Sequence, residues 1–350
     1  PASAYKSQNR GGKGSNSAKL AEDDFLNQLF TASTHDYVVF ITSAGKAYWV
    51  KVHEIPEANR TSRGTHIKSL LTVSSDEEIT TVVALKDFSE TEYLLMATAE
   101  GVVKKVTTSN FQNAKTRGII AIKLDDGDKL ISATLTSGKD EIMLITRQGQ
   151  ALRMTEEDIR PLGRASRGVT GIKLSSNDEL AGALRVRDNE CMLIMTECGY
   201  GKRVDFSEFN AHGRATGGQK IYTISEKTGE IVGLITVQDT DEVVCITSQG
   251  KTLRVKANTI SLMGRAAQGV RILNIERPDT LIGIDTVAQE DEEAKRLEEH
   301  ATNTVSIAGE LDLDGSDEPI DTGLVDEDDT EGDSTENPEA EGDESPSDEE

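Results

Sequence analysis

Short apolar runs recur along the first 288 residues, and polar or glycine-containing turns separate them. In one typical stretch, residues 141–146 and 151–155 are strand-like, and Gly149 between them can supply the positive φ that a two-residue hairpin requires. Residues 169–174 alternate as a third strand, and residues 179–186 follow a polar turn as a fourth. Because no segment sustains a 3.6-residue period, stacked helical repeats are excluded. The pattern predicts a unit of four short strands in roughly fifty residues.

This four-strand unit is repeated. Five hairpins share a Thr, two further residues and a Gly, and the glycines are Gly45, Gly101, Gly149, Gly199 and Gly250. A second glycine follows 17 or 19 residues later, and we call the four-residue segments that end in it the first to fifth glycine loops: 61–64, 115–118, 165–168, 215–218 and 266–269. An incomplete sixth copy, with no hairpin before it, has Arg10 at 53 residues before Arg63. We therefore expect an all-β, six-bladed β-propeller of four-stranded blades, with a partial first blade at 1–34 and repeats at about 35–88, 89–138, 139–188, 189–238 and 239–288.

The charge of the chain is concentrated at one end. The formal net charge is −24, and residues 289–350 alone contain 26 acidic and 2 basic residues and no aromatic residue. Such a segment cannot bury enough apolar surface to offset its ordering entropy, so we expect a disordered acidic tail at 289–350. No apolar run reaches the roughly 18 residues of a membrane span. The three cysteines and five histidines show no metal-ligand spacing, and no catalytic motif is present, so we expect no metal, no cofactor and no catalysis in this chain.

Basic residues in the remaining 288 residues are in phase with the repeat. They follow each hairpin glycine and surround each glycine loop, whereas acidic residues gather at the turn before the fourth strand. In a ring of blades, a basic position that recurs in each blade becomes a basic belt, which is typical of a surface for a bent polyanion. The alternative is a solvated face that only keeps the protein soluble. The predicted belt contains Lys46, Lys51, Arg60, Arg63, Lys68, Lys104, Lys105, Lys115, Arg117, Lys123, Arg153, Arg164, Arg167, Lys173, Lys202, Arg203, Arg214, Lys220, Lys251, Arg254, Arg265 and Arg271.

The segment 8–14 has the composition of a phosphate-binding loop. Three glycines allow the backbone to approach a phosphate closely, and two basic side chains supply charge and donors. It is not a Walker loop, because Gly14 stands where that motif has Ser or Thr. A flexible basic linker is the alternative. The predicted DNA-binding residues here are Gln8, Arg10, Gly11, Gly12, Lys13 and Gly14.

This heptad resembles the gyrase box, and with the blade repeats it makes the chain similar to the C-terminal DNA-wrapping domain of the DNA gyrase A subunit, a bacterial type IIA topoisomerase. Asn9 departs from the box, which usually has a basic residue there, and Gly217 and Gln268 replace the arginine of the earlier glycine loops. The resemblance implies a β-pinwheel, in which neighbouring blades exchange strands. It implies that DNA of any sequence wraps around the basic rim so that the enzyme introduces negative supercoils, with the acidic tail modulating wrapping.

The resemblance also implies a wider assembly. The expected partners are double-stranded DNA, the remainder of the gyrase A subunit, and the gyrase B subunit, in a complex of two A and two B subunits. ATP and Mg would be used on other domains, the isolated domain would be monomeric without a membrane partner, and the location would be the cytoplasm at the nucleoid. Two alternatives stay open: the C-terminal domain of the topoisomerase IV A subunit, which would have a degenerate box, and a propeller scaffold for protein partners.

Overall fold

The computed structural model describes residues 15–16, 32–58 and 64–287, all within one compact unit, Pro1–Lys295. These residues form antiparallel sheets, connected by turns and by 3-10 helices of three or four residues. The strands are β1 Ser15–Asn16, β2 Tyr37–Thr42, β3 Lys46–Lys51, β4 Ile79–Leu85, β5 Tyr93–Thr98, β6 Val102–Thr107, β7 Ile119–Ile120, β8 Leu130–Thr136, β9 Glu141–Thr146, β10 Gln150–Thr155, β11 Val169–Thr170, β12 Leu180–Arg185, β13 Cys191–Thr196, β14 Tyr200–Asp205, β15 Gln219–Lys220, β16 Ile231–Val237, β17 Glu242–Thr247, β18 Lys251–Lys256, β19 Val270–Arg271 and β20 Leu281–Val287. The 3-10 helices are Val52–Glu54, Ile67–Ser69, Thr108–Phe111, Lys115–Arg117, Glu156–Asp158, Phe206–Glu208 and Ala257–Thr259.

Each predicted hairpin forms at its Thr-x-x-Gly sequence. In the hairpin of β9 and β10, the amide of Gly149 donates to the carbonyl of Thr146 (3.1 Å), and the Thr146 hydroxyl accepts from the amide of Gln150 (3.1 Å). Gly149 has φ +87°, and a Cβ there would lie 2.6 Å from the Tyr222 carbonyl oxygen. The turn therefore requires glycine both for its backbone conformation and for the close approach of the following repeat.

Every sheet combines a hairpin with one strand from its own repeat and one from elsewhere. We number the blades by their hairpins, and the strand orders are β4-β2-β3-β7, β8-β5-β6-β11, β12-β9-β10-β15, β16-β13-β14-β19 and β20-β17-β18-β1. In the first four blades the last strand of this order follows the glycine loop of the next repeat, so we call it the exchanged strand. In the fifth blade β1, from near the start of the chain, takes that place. The pairing of the exchanged strands with the hairpins therefore joins each repeat to its neighbour.

The all-β propeller with four-stranded blades is confirmed, but the prediction of six blades is wrong: the described residues form five. The sixth blade is predicted from the sequence around Arg10 and from residues 24–33, nearly all of which lie outside the described ranges. The described part of that copy, β1, pairs with β18 and so completes the fifth blade. The glycine loops and the similar sequence around Arg10 thus mark exchanged strands, and each exchanged strand belongs to the sheet of a neighbouring repeat. The predicted acidic tail at 289–350 also lies outside the described residues.

The cores lie between neighbouring blades. On β5, Leu94 and Met96 pack with the first blade, whereas Leu95 and Ala97 pack with the third blade. The strands β4, β8, β12, β16 and β20 pack in chain order and line a channel of about 360 Å³. Since these strands occupy one edge of each sheet, the exchanged strands occupy the opposite, outer edge.

Candidate nucleic-acid interface

Pairs of exposed cations lie on or beside the exchanged strands at this outer edge. The pairs are Arg117 and Lys123 at β7, Arg167 and Lys173 at β11, Arg214 and Lys220 at β15, and Arg265 and Arg271 at β19. We call these eight residues the exposed cation pairs. Lys68 and Lys115 are exposed as well. Arg167 forms an ion pair with Asp125, and Arg271 donates to the hydroxyl of Tyr200 (2.8 Å), so these two side chains are partly held in place. Positive charge therefore recurs from blade to blade along one edge.

Six other cations of the predicted belt are only partly exposed: Lys46, Lys51, Arg153, Arg164, Lys251 and Arg254. Four of them form ion pairs, Lys46 with Glu77, Arg153 with Glu141, Lys251 with Asp279 and Arg254 with Glu242. Lys51 lies 3.9 Å from the centroid of the Tyr37 ring. The four paired charges are already balanced inside the protein, which weakens the attraction that they can offer to a polyanion.

Lys104 and Lys202 occupy equivalent positions in their hairpins and are fully buried. Each ammonium group donates to three backbone carbonyls: Lys104 to Ala121, Arg164 and Ser166, and Lys202 to Ile221, Gly264 and Arg265. The pKa of both lysines is lowered to about 8, chiefly by burial and, for Lys104, also by the charge of Arg164. Both groups therefore remain largely charged at neutral pH.

In each of the first four blades, the fourth residue of the second hairpin strand ties the blade to the following repeat. The donations are Trp49 Nε1 to the Phe111 carbonyl (3.1 Å), Lys105 Nζ to the Glu156 carbonyl (2.9 Å), Arg153 Nη1 to the Phe206 carbonyl (2.9 Å) and Arg203 Nε to the Ile260 carbonyl (2.8 Å). All four acceptors lie in, or directly after, a 3-10 helix of the next repeat. Lys105 and Arg203 are 3% and 7% exposed. The structure thus places four residues of the predicted belt, Lys104, Lys105, Lys202 and Arg203, in the interior.

Strand alternation could not separate these interior lysines from surface ones. In a lone sheet, neighbouring residues point to opposite faces, so one of Lys104 and Lys105 would be expected in solvent. Here β6 is covered on both faces, because a blade packs on each side of it. The one available signal was the valines that flank the lysine pair in the sequence Val-Val-Lys-Lys-Val.

The acidic residues at the turns have a structural role that the sequence did not suggest. Asp128, Asp178 and Asp279 are buried, and each accepts a hydrogen bond from a backbone amide in a hairpin turn, those of Glu100 (3.0 Å), Gln148 (3.0 Å) and Gln249 (3.1 Å). The segregation of acidic from basic residues therefore follows partly from hairpin capping.

The gyrase-box-like residues Gln8, Arg10, Gly11, Gly12, Lys13 and Gly14, and the belt residues Arg60 and Arg63, lie outside the described residues. The strand that directly follows the heptad is described: Ser15 is opposite Thr252 and Asn16 is opposite Lys251. The two residues directly after the heptad thus lie at the outer edge of the fifth blade. In the described ranges, no cluster of three metal-ligating side chains occurs and no helix is long and apolar enough to span a membrane.

A family model and two relatives that match this chain are all described as DNA gyrase. The family "DNA gyrase C-terminal domain, beta-propeller" matches residues 1–33, 36–86, 92–137, 140–187, 192–238 and 241–288. The chain is 68% identical over 289 residues to the DNA gyrase A subunit of Treponema pallidum, an alignment that covers 83% of this chain and 36% of that protein. It is 36% identical over 322 residues to the same subunit of Escherichia coli, covering 91% and 37%. The chain therefore spans about a third of the length of these relatives.

Two solved structures are similar to the fold. A DNA gyrase A C-terminal domain superimposes with a TM-score of 0.74 at 31% identity, covering 82% of this chain and 94% of that one. A C-terminal domain of DNA topoisomerase IV superimposes with a TM-score of 0.66 at 27% identity, covering 76% and 84%.

Proposed function

Because the chain belongs to the DNA gyrase C-terminal domain family, we propose that it binds double-stranded DNA of any sequence and wraps it around the outer edge of the blades. Wrapping here would allow a complete gyrase to introduce negative supercoils. The remaining partners are the rest of the gyrase A subunit, and the gyrase B subunit, two copies of each, acting in the cytoplasm at the nucleoid. ATP, Mg and the catalytic residues would belong to parts outside this chain.

The observation that carries the proposal is the recurrence of the exposed cation pairs at four successive exchanged strands. A phosphate backbone that follows the outer edge would meet a pair at each blade, with no need to read bases. The proposed contact residues are therefore the exposed cation pairs, Lys68 and Lys115, together with Arg60, Arg63 and the heptad. Lys104, Lys105, Lys202 and Arg203 are not among them, because their side chains are buried.

Salt dependence tests this assignment. If only six of the proposed residues contact phosphates, at about −0.9 each, log K falls with log salt with a slope near −5, and each further contact makes the slope steeper by about 0.9. Replacing both members of one pair, as in Lys123→Met with Arg117→Met, should make the slope shallower by about 1.8. A matched control is Lys86→Met, an exposed lysine outside the belt, which should leave the slope unchanged. Affinity that barely changes with salt would show that the rim is not a phosphate surface.

Wrapping is a separate step, and we propose that the heptad contributes to it more than to affinity. Strand β1 delivers the chain after the heptad to the fifth blade, where Arg10 and Lys13 would extend the DNA path between the first and last blades. Arg10→Ala with Lys13→Ala should lower affinity modestly and reduce the superhelical turns trapped when nicked circles are ligated on the protein. Unchanged turns would rule out this role of the heptad.

The acidic tail is proposed to modulate wrapping as an intramolecular competitor. It carries the whole formal net charge of −24, on a segment tethered to a protein that binds polyanions. Tethering by a flexible linker gives local concentrations of about millimolar order.

A further inference from the structure

The ammonium groups of Lys104 and Lys202 lie beneath two of the glycine loops. Lys104 Nζ is 2.9 Å from the carbonyl oxygen of Ser166 and also donates to the carbonyl of Arg164, so it holds the third glycine loop. Lys202 Nζ is 3.0 Å from the carbonyl oxygen of Gly264 and 2.6 Å from that of Arg265, the two residues directly before the fifth glycine loop. At each of these loops, two carbonyl groups in or directly before the loop therefore point inward toward one buried positive charge.

Inward carbonyls fix the direction of the amides that share their peptide planes. In a trans peptide the C=O and N–H groups point in opposite directions, so the amides of Ala165 and Arg167 and those of Arg265 and Ala266 point outward. All four residues are exposed. Among the described residues, none of these four amides donates a hydrogen bond to a protein acceptor. Each loop thus presents two outward amides next to an arginine side chain.

The fourth glycine loop provides a contrast within the same chain. Leu152 stands in the third blade where Lys104 and Lys202 stand in theirs, so no ammonium group lies beneath this loop. There the amide of Ala215, the residue equivalent to Ala165 and Ala266, points inward and donates to the Gly171 carbonyl (2.5 Å). Ala215 also adopts φ +63°, in the left-handed region. The outward amide at the alanine position therefore accompanies the buried lysine, whereas the carbonyl at the Ser166 position is also held by a backbone amide, that of Lys123 for Ser166 (3.1 Å) and that of Lys173 for the equivalent Thr216 (2.9 Å).

We propose that Lys104 and Lys202 are positioning residues that make the third and fifth glycine loops into binding sites for backbone phosphates of DNA. The outward amides of Arg265 and Ala266 are successive, as in a concave anion-binding site, whereas those of Ala165 and Arg167 are separated by the Ser166 amide, which donates to the Gly163 carbonyl (3.2 Å). Backbone amides are regular phosphate partners in protein–DNA complexes. Arg265 supplies positive charge beside the amides at the fifth loop, and Arg167, in an exposed ion pair with Asp125, lies beside those of the third loop. The inference rests on the proposed DNA binding and adds two phosphate sites that need the buried lysines. The pKa of about 8 of both lysines supports it, because the charge that orients the carbonyls is present at neutral pH.

The experiment follows the alanine amides of the full chain, labelled with 15N-alanine, while a short DNA duplex is added. The resonances are assigned with Ala165→Ser, Ala215→Ser and Ala266→Ser variants. We expect the amide signals of Ala165 and Ala266 to shift with DNA and that of Ala215 to stay in place. In Lys104→Met the response of Ala165 should be lost while that of Ala266 persists, and Lys202→Met should give the reverse. Each variant should bind the duplex about tenfold more weakly, the loss expected for two hydrogen bonds.

Lys123→Met is the matched control, since it removes an exposed charge and leaves the loop carbonyls bonded. It should weaken binding while both alanine responses persist. If the duplex binds in a salt-dependent way but the amide signals of Ala165 and Ala266 do not shift, this inference is overturned and the proposed function stands. A response of the Ala165 signal that persists in Lys104→Met would have the same consequence. Absence of duplex binding at low salt would overturn both. If a methionine variant fails to fold, the comparison of Ala165 and Ala266 with Ala215 in the unmodified chain still decides.

Discussion

Replacing Lys105 by Met should reduce the stability of the fold without removing a DNA contact. Lys105 and Glu156 are 3% and 0% exposed, and Nζ lies 2.9 Å from the Glu156 carbonyl oxygen and 3.6 Å from Glu156 Oε2. The other carboxylate oxygen already accepts the amide of Asp140 (2.8 Å), so Oε2 depends on the lysine. Removing one partner of a buried ion pair typically costs about 3–5 kcal/mol, because the other charge stays buried without compensation.

The double variant Lys105→Met with Glu156→Gln separates charge from packing. Glutamine can still accept the Asp140 amide through its carbonyl oxygen and carries no charge. We expect the double variant to recover at least about 1 kcal/mol of the loss, a coupling typical of residues in contact. Thermal unfolding of the four proteins gives the cycle.

DNA titrations of the same proteins below their melting temperatures complete the assay. Lys105→Met should keep the salt slope of the unmodified chain, whereas exposed Lys123→Met should reduce the slope by about 0.9 and change stability by less than about 0.5 kcal/mol. The sequence pattern assigned both lysines to the same belt, and the structure predicts opposite results for them. A Lys105→Met variant that is as stable as the unmodified chain but has a salt slope shallower by about 0.9 would refute the assignment of Lys105 to the interior.

Three further predictions concern the channel, a glycine loop and the tail. Burial raises the pKa of Asp285, which lines the channel, to about 6, so the fold is most stable when this carboxyl is protonated and loses that stability as the pH rises from about 4 through 6. Asp285→Asn should therefore stabilise the fold at pH 7 by up to about 3 kcal/mol, measured as a higher thermal midpoint. Below pH 4 the variant should have no such advantage. Gly118→Ala should destabilise the fold more than Gly127→Ala in thermal melts, because both glycines have positive φ but only the Cβ at 118 would meet the Tyr48 ring, at 2.3 Å; equal losses would contradict the packing argument. Deleting residues 301–350 should tighten DNA binding at low salt and should matter less as salt rises, since ions screen the tail and the DNA alike; equal affinities at low ionic strength would exclude competition by the tail.

The sequence predicted the elements whose causes are local. The Thr-x-x-Gly hairpins form where expected because both the side-chain hydrogen bond of Thr146 and the positive φ of Gly149 arise within the turn itself. The phase of the exposed cation pairs was also visible, since these residues lie in loops or on short outer strands. What the sequence could not show was which strand joins which sheet, because β7 and β11 pair with hairpins of the preceding repeat.

The candidate site was less predictable than the fold for the same reason. A lysine in a second hairpin strand is at the surface or in the interior depending on what the next repeat places over it. Carbonyls of the third repeat cover both ammonium groups, those of Arg164 and Ser166 for Lys104 and that of Glu156 for Lys105, and nothing next to these lysines in sequence encodes those carbonyls. Charge phasing therefore located the belt but could not separate cations that face solvent from those that hold the blades together.

Strand exchange puts the sequence repeat out of step with the sheet. A chain ended at residue 238, between two repeats, would lose β19 and leave the backbone groups of β14 unpaired along an open edge. Such edges recruit strands from other molecules, so fragments cut at repeat boundaries are expected to aggregate. A cut made after an exchanged strand, between β19 and β20, would retain the complete fourth sheet but would remove the partner of β17 from the fifth. A blade is thus not a continuous segment of the chain: the strands of the fourth blade are spread over residues 191–271, with β15 of the third blade and β17 and β18 of the fifth lying between them in sequence, so blades cannot be removed or transplanted one at a time.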